Sequence, residues 1–214
     1  MELDKYEKAL YYEIFVSKEY QILDDFIKKS GTIFDIGWHI GFFTNYCHSI
    51  NNKANIHYFE PVPKLFEKWK KIIGENKNII LNNKWVWTTT SKQKIFVNST
   101  KTMQSSIYTN NFLNKEQKSH LCDFISLEKY LQENNINYID LCKIDIEWAE
   151  IKVLEEISTE TLQKINVLFF EYHILFENDS QILQKILHKL DQNFKKTESF
   201  RSKYTENIWY VLCY

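Results

Sequence analysis

Two rhythms of apolar positions alternate along the chain. Short apolar-rich runs occur at Thr32 to Phe34, Asn55 to Glu60 (NIHYFE), Ile79 to Leu81, Tyr138 to Glu147 (YIDLCKIDIE) and Ile165 to His173 (INVLFFEYH). Such runs, bounded by turn residues, predict buried strands. Between them the apolar spacing turns helical. Tyr20, Leu23 and Ile27 mark a helix over 17–29 with Gly31 beyond its end, and 42–50 predicts another. Leu65, Trp69, Ile72 and Ile73 form one stripe that opens at Pro63 and stops at Gly74. Ser126 caps a short helix through Leu131, and 149–157 predicts a further one. Ile182, Leu183, Ile186, Leu187 and Leu190 follow the cap candidates Asn178, Asp179 and Ser180. Two closing strands, near 194–200 and 208–214, predict a hairpin at the sheet edge. Residues 84–90 and 94–97 read as extended pieces, 99–118 as a long polar loop, and 1–16 as a leading helix or an extended lid. Strands alternating with helices predict an α/β fold: an open, mostly parallel sheet with helices on both faces.

Composition narrows the function classes. At 214 residues the chain fits a single domain over 1–214, and no Pro/Gly/Ser-rich linker divides it. Its formal net charge is -1, with 27 basic and 28 acidic residues intermixed, so no footprint for nucleic acid is expected. Cys47, Cys122, Cys142 and Cys213 lie far apart, without paired metal-ligand spacing, and read as reduced thiols. The start of the chain mixes acids and bases without an apolar segment, so no secretory leader is expected. No run approaches the roughly 18 apolar residues of a membrane helix. A cytoplasmic location and no membrane insertion are the expectations, while the oligomeric state stays open.

The chemistry gathers around TIFDIGWHIGFFT, 32–44. A strand leads to Asp35, Gly37 breaks it, and a helix follows Gly41, a geometry that turns backbone N–H groups and a helix start toward a polar cofactor. The third glycine of a dinucleotide fingerprint is absent. Glu60 ends the second run, where an acid at a strand tip reaches the ribose hydroxyls of a nucleotide lying over the first turn. Asp35, Glu60, Asp145, Glu147, Glu171 and His173 all fall at or near strand ends. Acids needed only for structure have no reason to collect along one edge.

These stretches resemble the FkbM-like family of class I methyltransferases, which use S-adenosylmethionine. FDIGWHIGFFT is similar to the family's first motif, HYFEPVPKLFEKWKKII to its acidic second strand and following helix, KIDIEWAEIKVLEE to its central motif, and VLFFEYH to its next strand. The resemblance covers roughly 20–214. It implies a Rossmann-like, mostly parallel seven-stranded sheet with an antiparallel last strand, and methyl transfer to a hydroxyl of a sugar, glycan or other small acceptor. It further implies that Asp35, Gly37, Trp38, His39, Gly41, Phe42, Thr44, Glu60 and Pro61 surround the cofactor. Asp145, Glu147, Glu171 and His173 would line the acceptor side. His173 is the first choice of base, since an imidazole titrates near roughly pH 6.5, and Asp145 is the second. A divalent ion on Asp145, Glu147 and His173 is a further arrangement the donor types allow, though no ligand spacing indicates one.

The sequence departs from the family pattern at Trp38, His39 and Trp148, and in a looser match at Trp85. Large indoles beside a cofactor either stack on its ring or obstruct it. Two other readings stand open: a nicotinamide-dependent oxidoreductase, which the Asp35 to Glu60 unit permits, and a non-catalytic binding module whose crevice is blocked by Trp38 and Trp148.

Overall fold

The computed structural model describes residues 3–37, 41–98, 105–106, 117–146, 150–173, 179–202 and 208–214. The chain opens on helix α1 (Lys5–Tyr11), a π-helical turn (Tyr12–Val16) and a 3-10 turn (Glu19–Leu23), then α2 (Asp24–Lys29). The order continues as β1 (Thr32–Gly37), α3 (Phe42–Ile50), β2 (Asn55–Phe59), α4 (Pro63–Ile73), β3 (Ile79–Asn82), β4 (Lys84–Trp87), β5 (Ser91–Asn98), β6 (Ser105–Ser106) and β7 (Gln117–Ser126). It ends as α5 (Leu127–Glu133), β8 (Ile139–Asp145), α6 (Glu150–Glu156), α7 (Thr159–Leu162), β9 (Ile165–His173), α8 (Asp179–Asp191), β10 (Thr197–Arg201) and β11 (Ile208–Cys213).

Seven strands form the main sheet in the order β10-β11-β9-β8-β1-β2-β3. All are parallel except β11, which runs antiparallel to both its neighbours. The predicted closing hairpin is present, but its second strand is not the edge: β11 inserts between β9 and β10. Val211 and Cys213, both wholly buried, explain this, because an edge position would leave them exposed. On one face Tyr20 of the 3-10 turn meets both Phe43 of α3 (4.9 Å) and Phe169 of β9 (5.8 Å). Tyr130 of α5 covers the other, edge-on to Phe34 (5.7 Å) and Phe59 (4.7 Å).

Of the two readings for 1–16, the leading helix is observed. Asp4 accepts from the N–H groups of Tyr6 and Glu7 while Glu7 accepts from Asp4 N–H, a reciprocal cap that starts α1. Glu7 also pairs with Lys68 of α4, and Phe15 lies edge-on to Phe42 and Tyr46. The helix expected over 17–29 splits at Leu23 into the 3-10 turn and α2.

The larger departure is a second sheet, ordered β4-β7-β5-β6. Asn83 alone separates β3 from β4, so the chain passes from one sheet to the other within a residue. β7 begins inside the expected polar loop. Its pattern escaped sequence reading because the apolar Leu121 points outward, at 63% exposure, while Cys122 and Phe124 are buried. Trp85 stacks on Phe124, ring centroids 5.5 Å apart and planes within 4°. Most of the long loop expected at 99–118 lies outside the described residues.

His57 sits in the core of β2, stacked on Phe34 at 4.7 Å, its Nδ1 2.8 Å from the Tyr130 hydroxyl. Burial pushes its pKa down to about 4. The unfolded chain protonates this imidazole near roughly 6.5, so the stability it confers is complete above that pH and is lost as pH falls toward 4. Allowing for its partial exposure, we expect about 2 kcal/mol between pH 7 and 4. Urea melts of the parent and His57→Gln at both pH values test this: the parent should lose more stability than the variant.

Candidate active site

The register of the main sheet aligns the acids. Ile36 pairs with Phe59 and Gly37 with Asp145, while Ile144 pairs with Phe170 and Glu171 with Tyr210. One residue past the β2 pair and one past the β8–β9 pair, Glu60, Gly37, Asp145 and Glu171 stand at one level across four strands. Their side of the sheet is its carboxyl edge, where ligands of open α/β sheets bind.

Beneath that level lies a buried ionic group. Lys143 of β8 is 1% exposed, with Nζ 2.9 Å from Asp145 Oδ2 and 3.8 Å from Asp35 Oδ1. Burial disfavours its charge, but the carboxylates of Asp145 and Asp35 outweigh that and hold its pKa above the ordinary lysine value. Asp35 is pushed up by burial, against the pull of Lys143 and of Thr44, whose N–H and hydroxyl donate to Asp35 Oδ2 at 3.1 and 2.7 Å. Thr44, expected beside the cofactor, thus spends its donors anchoring Asp35 to α3. Gly37 has a packing reason of its own: a Cβ there would come within 2.4 Å of the Asp145 carbonyl oxygen and 3.1 Å of Lys143 Nζ. Gly41 adopts φ +60, and its missing Cβ makes room for the Trp69 ring, which also meets Phe42 edge-on at 6.0 Å. Phe42 itself is buried in that aromatic group.

Glu60 follows β2 directly and is wholly buried. Its Oε1 accepts from Val62 N–H at 2.7 Å, whereas Oε2 has no hydrogen-bond partner among the described residues. Burial drives its pKa well above the usual carboxylate value, opposed by Val62 N–H and the nearby Tyr58 hydroxyl. Beside it runs a narrow, mostly apolar slot lined by Ile36, Gly37, Phe59, Pro61 and Ile146 of the main sheet and its strand ends and by Lys84, Trp85 and Val86 of the second sheet. The slot holds about 10 Å³, room for roughly one water molecule. Asn83 Nδ2 donates to the carbonyls of Glu60 (2.7 Å) and Pro61 (3.2 Å), and Cys122 Sγ to that of Pro61 (3.2 Å), tying the two sheets together there.

On β9 Glu171 is buried opposite Tyr210, whose hydroxyl donates to Glu19 at 2.6 Å. Burial first, then the charges of Glu171 and Glu19, push the Tyr210 phenol far up, and Tyr20 rises for the same reasons with Asp145 added. His173 closes β9, but its side chain lies outside what is described, as do Trp38, His39, Glu147 and Trp148. Among the described residues no group of three His, Cys, Asp or Glu is placed to hold a metal, and no helix is long and apolar enough to cross a membrane.

Two contributors had escaped the sequence reading. Lys143 was hidden by its neighbours, although a lysine two residues before Asp145 in a buried strand must share that acid's face. Glu150, the first residue of α6, accepts from the N–H of Ile146, the residue after β8, at 2.8 Å.

The model of the methyltransferase FkbM domain matches residues 35–196. The chain belongs to that family. It is a methyltransferase, and this assignment replaces the nicotinamide and non-catalytic alternatives. Solved structures with the same fold include the Methanococcus jannaschii fibrillarin pre-rRNA processing protein, 11% identical over 87% of this chain and 67% of that one, TM-score 0.54. A putative rRNA methylase from Clostridium thermocellum is 9% identical over 92% and 93%, TM-score 0.53. The precorrin-6y C5,15-methyltransferase of Geobacter metallireducens is 11% identical over 92% and 87%, TM-score 0.51. At such identities these likenesses show the fold alone. No curated protein matches the chain.

A methyl donor built on adenosine carries two adjacent ribose hydroxyls, and Glu60 suits them: a buried acceptor whose Oε2 has no hydrogen-bond partner among the described residues. Lys143 has a structural consequence that can be measured. Lys143→Met leaves Asp35 and Asp145 buried without their cation, which should cost about 3–5 kcal/mol. Thermal denaturation should show a Tm lower by roughly 6–20 °C, and a double Lys143→Met, Asp35→Asn variant should recover part of it.

Proposed function

We propose that the enzyme transfers a methyl group from S-adenosylmethionine to a hydroxyl of a sugar, glycan or other small acceptor. The observation that carries this reading is Glu60: a wholly buried carboxylate, level with Gly37, Asp145 and Glu171 at the carboxyl edge, whose Oε2 has no hydrogen-bond partner among the described residues. Ribose hydroxyls would donate to it and favour its ionised form. Gly37 keeps the backbone beside it bare, and Pro61 closes the slot next to it. Bound there, the cofactor supplies a methyl group already activated on a sulfonium.

What remains for the protein is alignment and removal of one proton. Asp145 and Glu171 face the acceptor side, and their acceptor oxygens suit a ligand rich in hydroxyl donors. Asp145 Oδ2 is engaged by the Lys143 ammonium, which fixes the carboxylate in place and leaves His173 the better-suited proton acceptor. Glu147, two residues beyond Asp145, adds a further acceptor in this reading. The near-neutral net charge favours a small or glycan acceptor over nucleic acid, which would reward a basic face.

Isothermal titration with S-adenosylmethionine and S-adenosylhomocysteine tests the cofactor. The parent should bind both, and Glu60→Gln should weaken binding about tenfold or more through loss of charge-assisted hydrogen bonds. Folded parent binding neither compound would overturn the reading. In a methyl-transfer assay over small hydroxyl acceptors, glycans and RNA, His173→Gln should lower kcat by about 10² to 10⁴ with KM for the donor little changed. Turnover confined to the RNA would overturn the acceptor class.

A further inference from the structure

The slot beside Glu60 is in the right place for a base and the wrong size for one. A flat apolar cleft adjoining a carboxylate that grips a ribose is the natural seat for the attached purine. Yet here the cleft has room for about one water molecule, roughly 10 Å³. Trp85 accounts for this. It is 2% exposed, it stacks on Phe124 within 4° of parallel, and it lines the wall facing Pro61. The sheet that carries it cannot simply draw back, because Asn83 and Cys122 fasten that sheet to the carbonyls of Glu60 and Pro61 at the slot's rim. Space for a base must therefore come from side chains that line the slot, of which the Trp85 indole is the bulkiest, with Val86 and Lys84 beside it.

We propose that Trp85 is the residue that decides which nucleoside ligands this enzyme admits: its indole fills the base slot and moves to accept plain adenine, leaving no room for a substituent on the N6 amine. The inference rests on the cofactor reading above. It concerns specificity and loading, not the methyl transfer itself. Two consequences separate it from a merely structural role for the ring. The parent discriminates against N6-substituted adenosines, and its association with cofactor includes a unimolecular step as the indole moves.

The probes are S-adenosylhomocysteine and its N6-benzyl derivative, titrated against the parent, Trp85→Leu and Val86→Ala, with circular dichroism to establish folding. The parent should bind the benzyl derivative at least 100-fold more weakly than S-adenosylhomocysteine. Trp85→Leu should close that gap to within about tenfold. Val86→Ala, which trims the same wall while keeping the Trp85 stack, should close part of it and serves if Trp85→Leu does not fold. By stopped-flow tryptophan fluorescence, the parent's association rate should saturate with ligand concentration, and the Val86→Ala rate should saturate at a higher value. If S-adenosylhomocysteine binds but the discrimination is equal in the parent and the folded variants, the Trp85 inference falls while the cofactor reading stands. If neither S-adenosylmethionine nor S-adenosylhomocysteine binds the parent or either variant, both fall together.

Discussion

The middle of this fold depends on one buried ammonium. A lysine taken out of water loses several kcal/mol of hydration, and Lys143 regains it only because Asp145 and Asp35 lie on either side. That requirement reaches outward. Asp35 must be held, which uses both donors of Thr44 and so fixes α3 to β1. Asp145 must come close to β1, which leaves no space for a side chain at Gly37. The strand pair, the following helix and the bare backbone at the turn are thus consequences of placing one cation between two strands.

The same constraint prepares the carboxyl edge for chemistry. With Asp145 held by Lys143, the acids one level higher meet the crevice from fixed positions rather than from mobile loops. Glu60 belongs to this level but not to the ionic group. No lysine among the described residues compensates its charge, and Tyr58 and Val62 supply only part of what a carboxylate needs. A buried acceptor that the described residues leave incomplete is suited to completion by a ligand, whereas Asp35, engaged by Thr44 and Lys143, serves the scaffold.

The second sheet alters the shape of that edge more than its chemistry. Asn83 turns the chain out of β3 and at once ties it back to Glu60 and Pro61, so β4 begins as a wall of the crevice. An indole at Trp85 makes the wall thick. The stack on Phe124 crosses from β4 to β7, and so the width of the slot depends on a strand more than thirty residues further along the chain.

Much of this was legible before the fold was known. The strands β1 and β9, the helices α3 and α4, and the acids at the strand ends follow from spacing, because a fully buried parallel strand and an amphipathic helix each impose a local period. The approach of Glu60, Asp145 and Glu171 to one edge follows from the parallel order that this alternation requires, whereas Asp35 lies two residues below it. β7 was not legible, since Leu121 faces outward and breaks the alternation that a strand would show. Nor was the placing of β11 inside the sheet, the pairing of Lys143 with two acids, or the narrow slot against Trp85. Each of these rests on residues distant in the chain being brought within a few ångströms, where desolvation, close packing and charge act together, and no local period records which distant partner will arrive.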